Sequence, residues 1–262
     1  GILILGLGTT LLSFSETYLT IMISSLLIGL GLSTYHPQAM SSLFKEYGTQ
    51  KGRAIGYHGT SGTLGFVVAP LIVIFANQTI GWRTPLHFFL IPAIVLAFIL
   101  WRNLHFNHKT IETLPQPEVR KQYTMLLGST VFLSIFASHG VKTFLPIYYI
   151  SLGESLELAN LVLFACLTAT LLAAPVGGIL SDIIGRRTVI FGFILASTPF
   201  LALFPFVSGF YSILAIILFS FLNAIVFPAF FAYISDLSRG ENQASGAGFL
   251  FGTSMLASAV SP

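Results

Sequence analysis

Three observations predict an all-α membrane protein that crosses the bilayer several times. Hydrophobic residues make up 55% of the 262 residues and charged residues only 8%, whereas a soluble domain carries about 25% charged residues. The apolar residues fall in runs close to the ~20 residues that a helix needs to cross a bilayer. These runs lack the strict alternation of barrel strands, and only helices and closed barrels satisfy their backbone in lipid.

Nine apolar segments follow one another along the chain. They cover residues 1–12, 17–43, 54–77, 83–101, 123–150, 158–181, 187–206, 210–235 and 244–262, and we expect the first and last to be partial spans and the other seven to be complete. Both chain ends lie inside apolar runs, so we interpret the chain as a fragment of a longer protein. The polar residues 102–122 predict a central loop between a first half, 1–101, and a second half, 123–262.

Basic residues predict the orientation, because Lys and Arg are retained on the cytoplasmic side of a membrane protein. The cations of alternate loops are Lys45, Lys51, Arg53, Arg102, Lys109, Arg120, Lys121, Arg186, Arg187 and Arg239. Arg83 is the only loop cation on the other side. We therefore place these alternate loops in the cytoplasm and Glu16, Glu154 and Glu157 outside.

Charge and cysteine content exclude several classes of partner. The formal net charge is +3, but the basic residues are scattered between apolar runs and form no basic face, so we expect no nucleic-acid partner. The single cysteine, Cys166, lies in an apolar run and is interpreted as a packing residue. The H-E-x-x-H metal motif is absent from the sequence, and we expect neither a metal nor a cofactor.

A weak parallel repeat relates the two halves. Pro37 aligns with Pro228, Gly56 with Gly248 and Pro70 with Pro262, at separations of 191 or 192 residues. Each pair occupies the same place in a span of the same direction. This pattern is typical of transporters built from two halves of like orientation.

A short cytoplasmic turn between two spans carries the most specific motif, Gly178-Ile179-Leu180-Ser181-Asp182-Ile183-Ile184-Gly185-Arg186-Arg187. Gly178 allows close helix approach and Gly185 permits a tight turn. The arginine pair favours the cytoplasmic side, and Asp182 is a carboxylate at the membrane edge that needs a partner.

This turn matches every fixed position of G-x-L-x-D-x-x-G-R-R and resembles the signature loop of the major facilitator superfamily (MFS). The resemblance implies two six-helix halves, of which residues 1–101 would hold spans three to six and residues 123–262 spans seven to eleven. Spans one, two and twelve would lie outside the chain. In the family this loop latches neighbouring helices on the cytoplasmic side, which implies a gating role for Gly178, Asp182, Gly185, Arg186 and Arg187.

Two further stretches support the resemblance. Gly81-Trp82-Arg83 is similar to the G-W-R at the start of the family's sixth span. Residues 29–37, with Gly62 and Pro70, most resemble the branch that contains fosmidomycin-resistance-type efflux proteins. Ser25 stands four residues before Gly29, where many proton-coupled exporters have Arg, so the usual proton relay is not implied.

Lys142 is the outstanding polar residue inside a predicted span, where an ionisable side chain costs about 2.5–3.5 kcal/mol. It lies about 9 Å outward of the middle of its span. His139 stands three residues earlier on the same helix face, so the two are predicted to form one polar patch. The resemblance implies that this span lines a central cavity, which makes both residues candidates for binding substrate or a proton. The alternative is that Lys142 extends outward to the membrane interface.

Three other polar residues are weaker candidates for substrate or proton binding. His36 and His58 lie in successive spans, where a packing role and proton transfer are both open. Asn223, near the middle of its span, is predicted either to bind substrate or to join two helices. Helix kinks are predicted at Pro37, Pro70, Pro146 and Pro228.

Two other functional classes explain the sequence less well. Gly59-Thr60-Ser61-Gly62 matches the G-x-S-G around the nucleophile of rhomboid-type intramembrane serine proteases, with His87 or His139 as the base. A protease leaves both the repeat and the signature loop unexplained. A channel needs a filter sequence or rings of like residues, and neither is visible.

The sequence therefore predicts a secondary active transporter that moves a small organic solute by alternating access, with proton-coupled efflux as the leading hypothesis. Uptake of an organic anion on the same fold is the alternative. We expect a monomeric multi-pass protein of a prokaryotic inner membrane. Its expected partners are a small-molecule substrate, a coupling proton and the lipid bilayer.

Overall fold

The computed structural model describes residues 1–103, 121–238 and 242–261, and these residues form helices joined by short turns. The helices are α1 (Ile2–Ser13), α2 (Tyr18–Tyr47), α3 (Lys51–Thr79), α4 (Thr84–His87), α5 (Leu90–Asn103), α6 (Lys121–Ser151), α7 (Leu156–Ile183), α8 (Arg186–Leu203), α9 (Phe210–Leu237) and α10 (Asn242–Val260). Two 3₁₀ turns, Gly48–Gln50 and Phe204–Phe206, follow α2 and α8. The predicted all-α fold class is confirmed for the described residues.

Each of the nine predicted segments contains a helix, but the segment 83–101 is not one continuous span. It is divided into α4 and α5 by a turn at Phe88 and Phe89. Pro92 lies in the first turn of α5, where its missing N–H costs no helical bond, and the Phe88 carbonyl accepts instead from the Ile91 N–H at 3.0 Å.

Five stretches of the described residues are long and apolar enough to cross a membrane. They are Tyr18–Val68, Gln122–Ser151, Leu156–Ile183, Arg186–Phe206 and Phe210–Leu237. The first contains α2, the turn and most of α3, and its 51 residues are enough for two crossings. Ile2–Ser13 and Leu90–Asn103 are shorter apolar helices.

The helices group into two compact units. One unit is the described part of Gly1–Ala39 and Val68–Pro115. In it α1 lies against α4 and α5, and the Leu90 N–H donates to the Thr10 hydroxyl at 3.1 Å. Gly8 allows α1 to approach the backbone of Ile28 in α2.

The other unit is the described part of Met40–Val67 and Gln116–Pro262. Its centre is α9, which packs against α7 and α8 and buries Phe230, Phe231 and Ile234 almost completely. The exterior is apolar as well: Phe206 is 85% exposed and Phe191 74%. Large apolar side chains on the outside fit a protein whose solvent is lipid.

Candidate functional site

Glycines bring α3 and α7 into backbone contact at the end of α7 that precedes the signature turn. A Cβ on Gly178 would meet the backbone of Gly52, and a Cβ on Gly56 would lie 2.7 Å from the carbonyl oxygen of Ala174. A side chain at either glycine would push a backbone aside, which a close-packed interior resists. The predicted role of Gly178 in close helix approach agrees with this geometry.

The carboxylate of Asp182, in the last turn of α7, binds the first N–H groups of α3. Its Oδ1 accepts from the Gly52 N–H at 3.1 Å, and its Oδ2 accepts from the Arg53 N–H at 2.7 Å. These N–H groups have no partner within their own helix, and a helix N-terminus carries partial positive charge. A carboxylate on one helix therefore holds the end of another.

Arg186, the first residue of α8, neutralises this carboxylate. Its Nη1 forms an ion pair with Asp182 and donates to the Ser181 hydroxyl at 3.0 Å. Its Nε lies 3.4 Å from Oδ2 of Asp236, near the end of α9. The side chains of Asp182 and Arg186 are each only 12% exposed, so water screens their interaction weakly.

Lys51 completes the arrangement from the first residue of α3. Its Nζ lies 2.5 Å from Oδ1 of Asp236 and donates to the Ser235 hydroxyl at 3.1 Å. The whole residue is 8% exposed, which is unusual for lysine unless it is paired. Lys51, Asp182, Arg186 and Asp236 together form what we call the charge cluster, in which two cations balance two carboxylates.

The remaining motif residues lie beside the charge cluster. Gly185 has φ +93°, a backbone conformation that side chains disfavour, and it forms the turn between α7 and α8. Arg187 points away from Asp182: its Nε donates to the Tyr233 hydroxyl at 2.6 Å, and its guanidinium lies 5.4 Å from the ring centroid. Arg187 thus joins α8 to α9.

Lys142, on α6, reaches toward the middle of the neighbouring helix. Its Nζ donates to the Thr170 hydroxyl at 3.3 Å, and that hydroxyl donates to the carbonyl of Cys166 at 2.9 Å. Thr170 lies at the middle of α7 (Leu156–Ile183). The amine therefore turns into the helix layer and does not extend outward, and within the described residues it forms no ion pair.

His139 does not share a bond with Lys142 in the described part of the chain. Its Nδ1 lies 3.4 Å from the hydroxyl of Thr143 on the same helix, and its side chain is exposed. The two residues have separate partners because the Lys142 chain is long enough to reach α7, whereas the imidazole remains beside its own helix. The single polar patch predicted from their spacing is thus two separate contacts.

Asn223 joins two helices. Its Nδ2 donates to the Ser134 hydroxyl at 3.1 Å, which links the middle of α9 to α6. His58 lines a small cavity at the start of α3, together with Arg53 and Tyr57. His36 lies in the other unit, with its ring 5.3 Å from that of Tyr35 in an edge-to-face arrangement.

Three of the predicted kink prolines lie inside helices. Pro37 is in α2, Pro146 in α6 and Pro228 in α9. Pro70 falls in α3, at a position whose side chain lies outside the described part of the structure. Arg239 and Pro262 also lie outside the described residues, as does most of the predicted central loop.

Sequence analysis missed the role of two members of the charge cluster. Lys51 was interpreted only as a cation that sets the orientation, and Asp236 was not singled out. One available signal was that Asp236, like Asp182, is a carboxylate next to a predicted cytoplasmic loop that carries arginine.

Comparison with known proteins shows the class of protein that this arrangement belongs to. The family model described as Major Facilitator Superfamily matches residues 1–262. The chain belongs to the Major Facilitator Superfamily. Members of this family are membrane transporters and not enzymes, so the intramembrane-protease alternative is set aside.

Individual relatives are more distant. The chain is 27% identical over 267 residues to the fosmidomycin resistance protein of Escherichia coli K12, covering 97% of this chain and 66% of that protein. It is 24% identical to the cis,cis-muconate transport protein of Acinetobacter baylyi, covering 100% and 67%, and 27% identical to the citrate-proton symporter of Salmonella typhi, covering 73% and 50%. The chain thus spans about two thirds or less of the length of these relatives.

Among solved structures, the chain is similar to the MFS transporter FucP in its outward conformation. The TM-score is 0.81 at 13% identity, with 99% of this chain and 72% of FucP covered. A second structure, of a variant of the Escherichia coli fucose:proton symporter, gives a TM-score of 0.73. At this identity the likeness concerns the fold alone.

Proposed function

We propose that the protein containing this chain moves a small organic solute by alternating access and that the charge cluster is its cytoplasmic latch. The observation that carries this proposal is the set of bonds from Asp182 to the N-terminus of α3. In the predicted organisation α3 belongs to the first half, whereas α7 and α9 belong to the second. The charge cluster then ties the two halves together on the cytoplasmic side.

The physics of the charge cluster suits a reversible latch. Its two cations and two carboxylates balance in the closed state, and the groups that separate on opening exchange their protein partners for water. Separation of the two halves breaks the two bonds from the α3 backbone N–H groups to Asp182 and the ion pair between Lys51 and Asp236. Arg186, Asp182 and Asp236 all belong to the second half and stay together. Hydrogen bonds to charged groups each contribute about 1.5–3 kcal/mol after exchange with water, so the closed state is favoured without being permanent.

Lys142 is the proposed point of contact with the solute or the coupling proton. Among the described residues the amine has only a hydroxyl partner and is incompletely satisfied, and a cation inside a membrane span tends to mark a substrate pathway. An anionic group on the solute would complete its coordination. This supports the second candidate function, uptake of an organic anion, because two relatives are named for muconate and citrate transport.

Export remains the first candidate because the relative named for fosmidomycin resistance covers almost the whole chain. Proton coupling is supported by the relative named as a citrate-proton symporter, although that name argues for movement of solute and proton in the same direction. Efflux in exchange for protons and symport with protons move the solute in opposite directions relative to the proton gradient, so the direction of solute movement is the point to test. The predicted location in a prokaryotic inner membrane is supported by the bacterial relatives, and the predicted monomer stays a prediction.

The test is transport by the full-length protein in vesicles with an imposed pH gradient. A panel of radiolabelled solutes should include a phosphonate, a dicarboxylate, a tricarboxylate and a neutral sugar. We expect saturable flux of an anionic solute that stops when the gradient is collapsed by a protonophore. The sign of the gradient that drives accumulation separates exchange against protons from symport, and flux that never saturates would contradict a carrier.

A further inference from the structure

A small cavity lies in the corner where α2 turns into α3, apart from both the charge cluster and Lys142. Its volume is about 230 Å³. Its polar lining consists of Tyr47, Gln50, Arg53, Tyr57 and His58. The described residues that line it include no carboxylate, so its formal charge comes from Arg53 alone.

The backbone and the side chain of Arg53 have different surroundings. Its backbone N–H binds Asp182, whereas its side chain is exposed at the cavity and forms no ion pair with any described residue. A guanidinium offers a planar set of N–H donors that matches the oxygens of a phosphate or carboxylate. The chain thus presents an anion-binding group that neither the latch nor the Lys142 contact uses.

The surroundings favour a lipid over a free anion. Tyr47 is 50% exposed and Tyr57 55%, and tyrosine is enriched at the depth of lipid head groups. Leu43 adds an apolar wall on the side that leads into the span. The positive-inside prediction places this corner at the cytoplasmic leaflet, which holds the anionic lipids that basic residues near the membrane attract.

We propose that this cavity binds the phosphate group of an anionic phospholipid of the cytoplasmic leaflet. The Arg53 guanidinium holds the phosphate, and the Gln50 amide and the tyrosine hydroxyls donate further hydrogen bonds. The first part of the acyl chain lies along Leu43. The residue that holds the lipid phosphate is thereby one of the two whose backbone N–H Asp182 binds.

The test is native mass spectrometry of the purified full-length protein titrated with phosphatidylglycerol, phosphatidylcholine or glycerol 3-phosphate. We expect tighter binding of phosphatidylglycerol than of phosphatidylcholine, and Arg53→Gln should weaken the phosphatidylglycerol affinity about fivefold. Arg53→Lys should retain most of the affinity because it keeps the charge. Arg102→Gln is the matched control, since Arg102 is an exposed arginine at the end of α5 that does not line the cavity.

Three outcomes would overturn the proposal. The first is a phosphatidylglycerol affinity of Arg53→Gln equal to that of the wild type. The second is an affinity of Arg102→Gln lowered as much as that of Arg53→Gln. Glycerol 3-phosphate that binds as tightly as the lipid would identify a site for a free anion instead. Because the Arg53 side chain is exposed and its N–H bond to Asp182 is a backbone bond, we expect the variants to fold, which a single symmetric peak in size-exclusion chromatography would verify.

Discussion

The charge cluster and the Lys142 site differ in how their charges are satisfied. In the charge cluster each cation faces a carboxylate, and Asp182 also accepts two backbone N–H bonds. Lys142 has only the Thr170 hydroxyl among the described residues. A balanced set of charges needs nothing further and suits a structural contact, whereas a lone intramembrane cation lacks a counter-ion that a ligand can supply.

The largest expected effect follows from replacing Lys142 by Ala. If the amine binds an anionic group of the solute, the loss of a charged hydrogen bond should weaken solute binding about tenfold to a hundredfold. Lys142→Arg should retain part of the affinity. Equilibrium binding of a radiolabelled solute to the purified full-length protein measures this effect.

Lys45→Ala provides the control for Lys142, because Lys45 is an exposed lysine in the last turn of α2. This variant should bind the solute as the wild type does. Unchanged binding and flux in Lys142→Ala would remove the distinction between the two regions, since Lys142 would then be a structural residue as well.

Gly178→Ala tests whether the charge cluster depends on the backbone contact of α3 with α7. The added Cβ would meet the backbone of Gly52, so overpacking should destabilise the protein by about 1–3 kcal/mol. Gly192→Ala, on α8, is the matched control because a Cβ there meets nothing within 4 Å. At that site the better helix propensity of Ala should leave stability unchanged or raise it by up to about 1 kcal/mol.

Thermal unfolding of the two glycine variants in the same detergent measures this difference. The melting temperature should fall for Gly178→Ala and stay level or rise for Gly192→Ala. Equal changes in the two variants would mean that the helices separate easily and that the charge cluster does not need the close contact.

Asp182→Asn should affect turnover more than solute binding. The amide keeps one acceptor oxygen for the α3 N-terminus but loses the charge that attracts Arg186, so we expect transport to slow about fivefold to tenfold, which corresponds to ~1–1.4 kcal/mol. Initial flux at saturating solute and the solute dissociation constant should be measured on one preparation. Wild-type turnover in this variant would count against the latch.

The fold and the signature turn were predictable because both depend on local features of the sequence. Bilayer thickness sets the length of an apolar run. The motif from Gly178 to Arg187 is a continuous stretch of chain, so its spacing can be read directly from the sequence. Among the described residues, the break at Phe88 and Phe89 departs from the predicted spans. That break is a local turn, which a count of apolar residues ignores.

The partners of the motif residues were harder to predict. Arg186 pairs with Asp182 four residues away, but its contact with Asp236 depends on which faces of α8 and α9 meet. Lys51 lies more than a hundred residues from Asp236, and one sequence contains no signal for such a pairing. The direction of the Lys142 side chain was also open, because its backbone position allows the amine to extend outward or inward. The side chain is long enough to reach Thr170 on α7.

The smallest expected effect concerns Asn223, whose predicted roles were substrate binding or helix joining. Its bond to Ser134 favours helix joining, and such bonds between membrane helices average about 0.6 kcal/mol. Asn223→Ala and Ser134→Ala should therefore lower stability by similar small amounts, and the double variant should be no less stable than either single variant. Solute binding distinguishes the two roles. If Asn223→Ala weakens solute binding and Ser134→Ala does not, Asn223 belongs with Lys142 at the ligand site. Unchanged binding in both variants assigns Asn223 to helix joining.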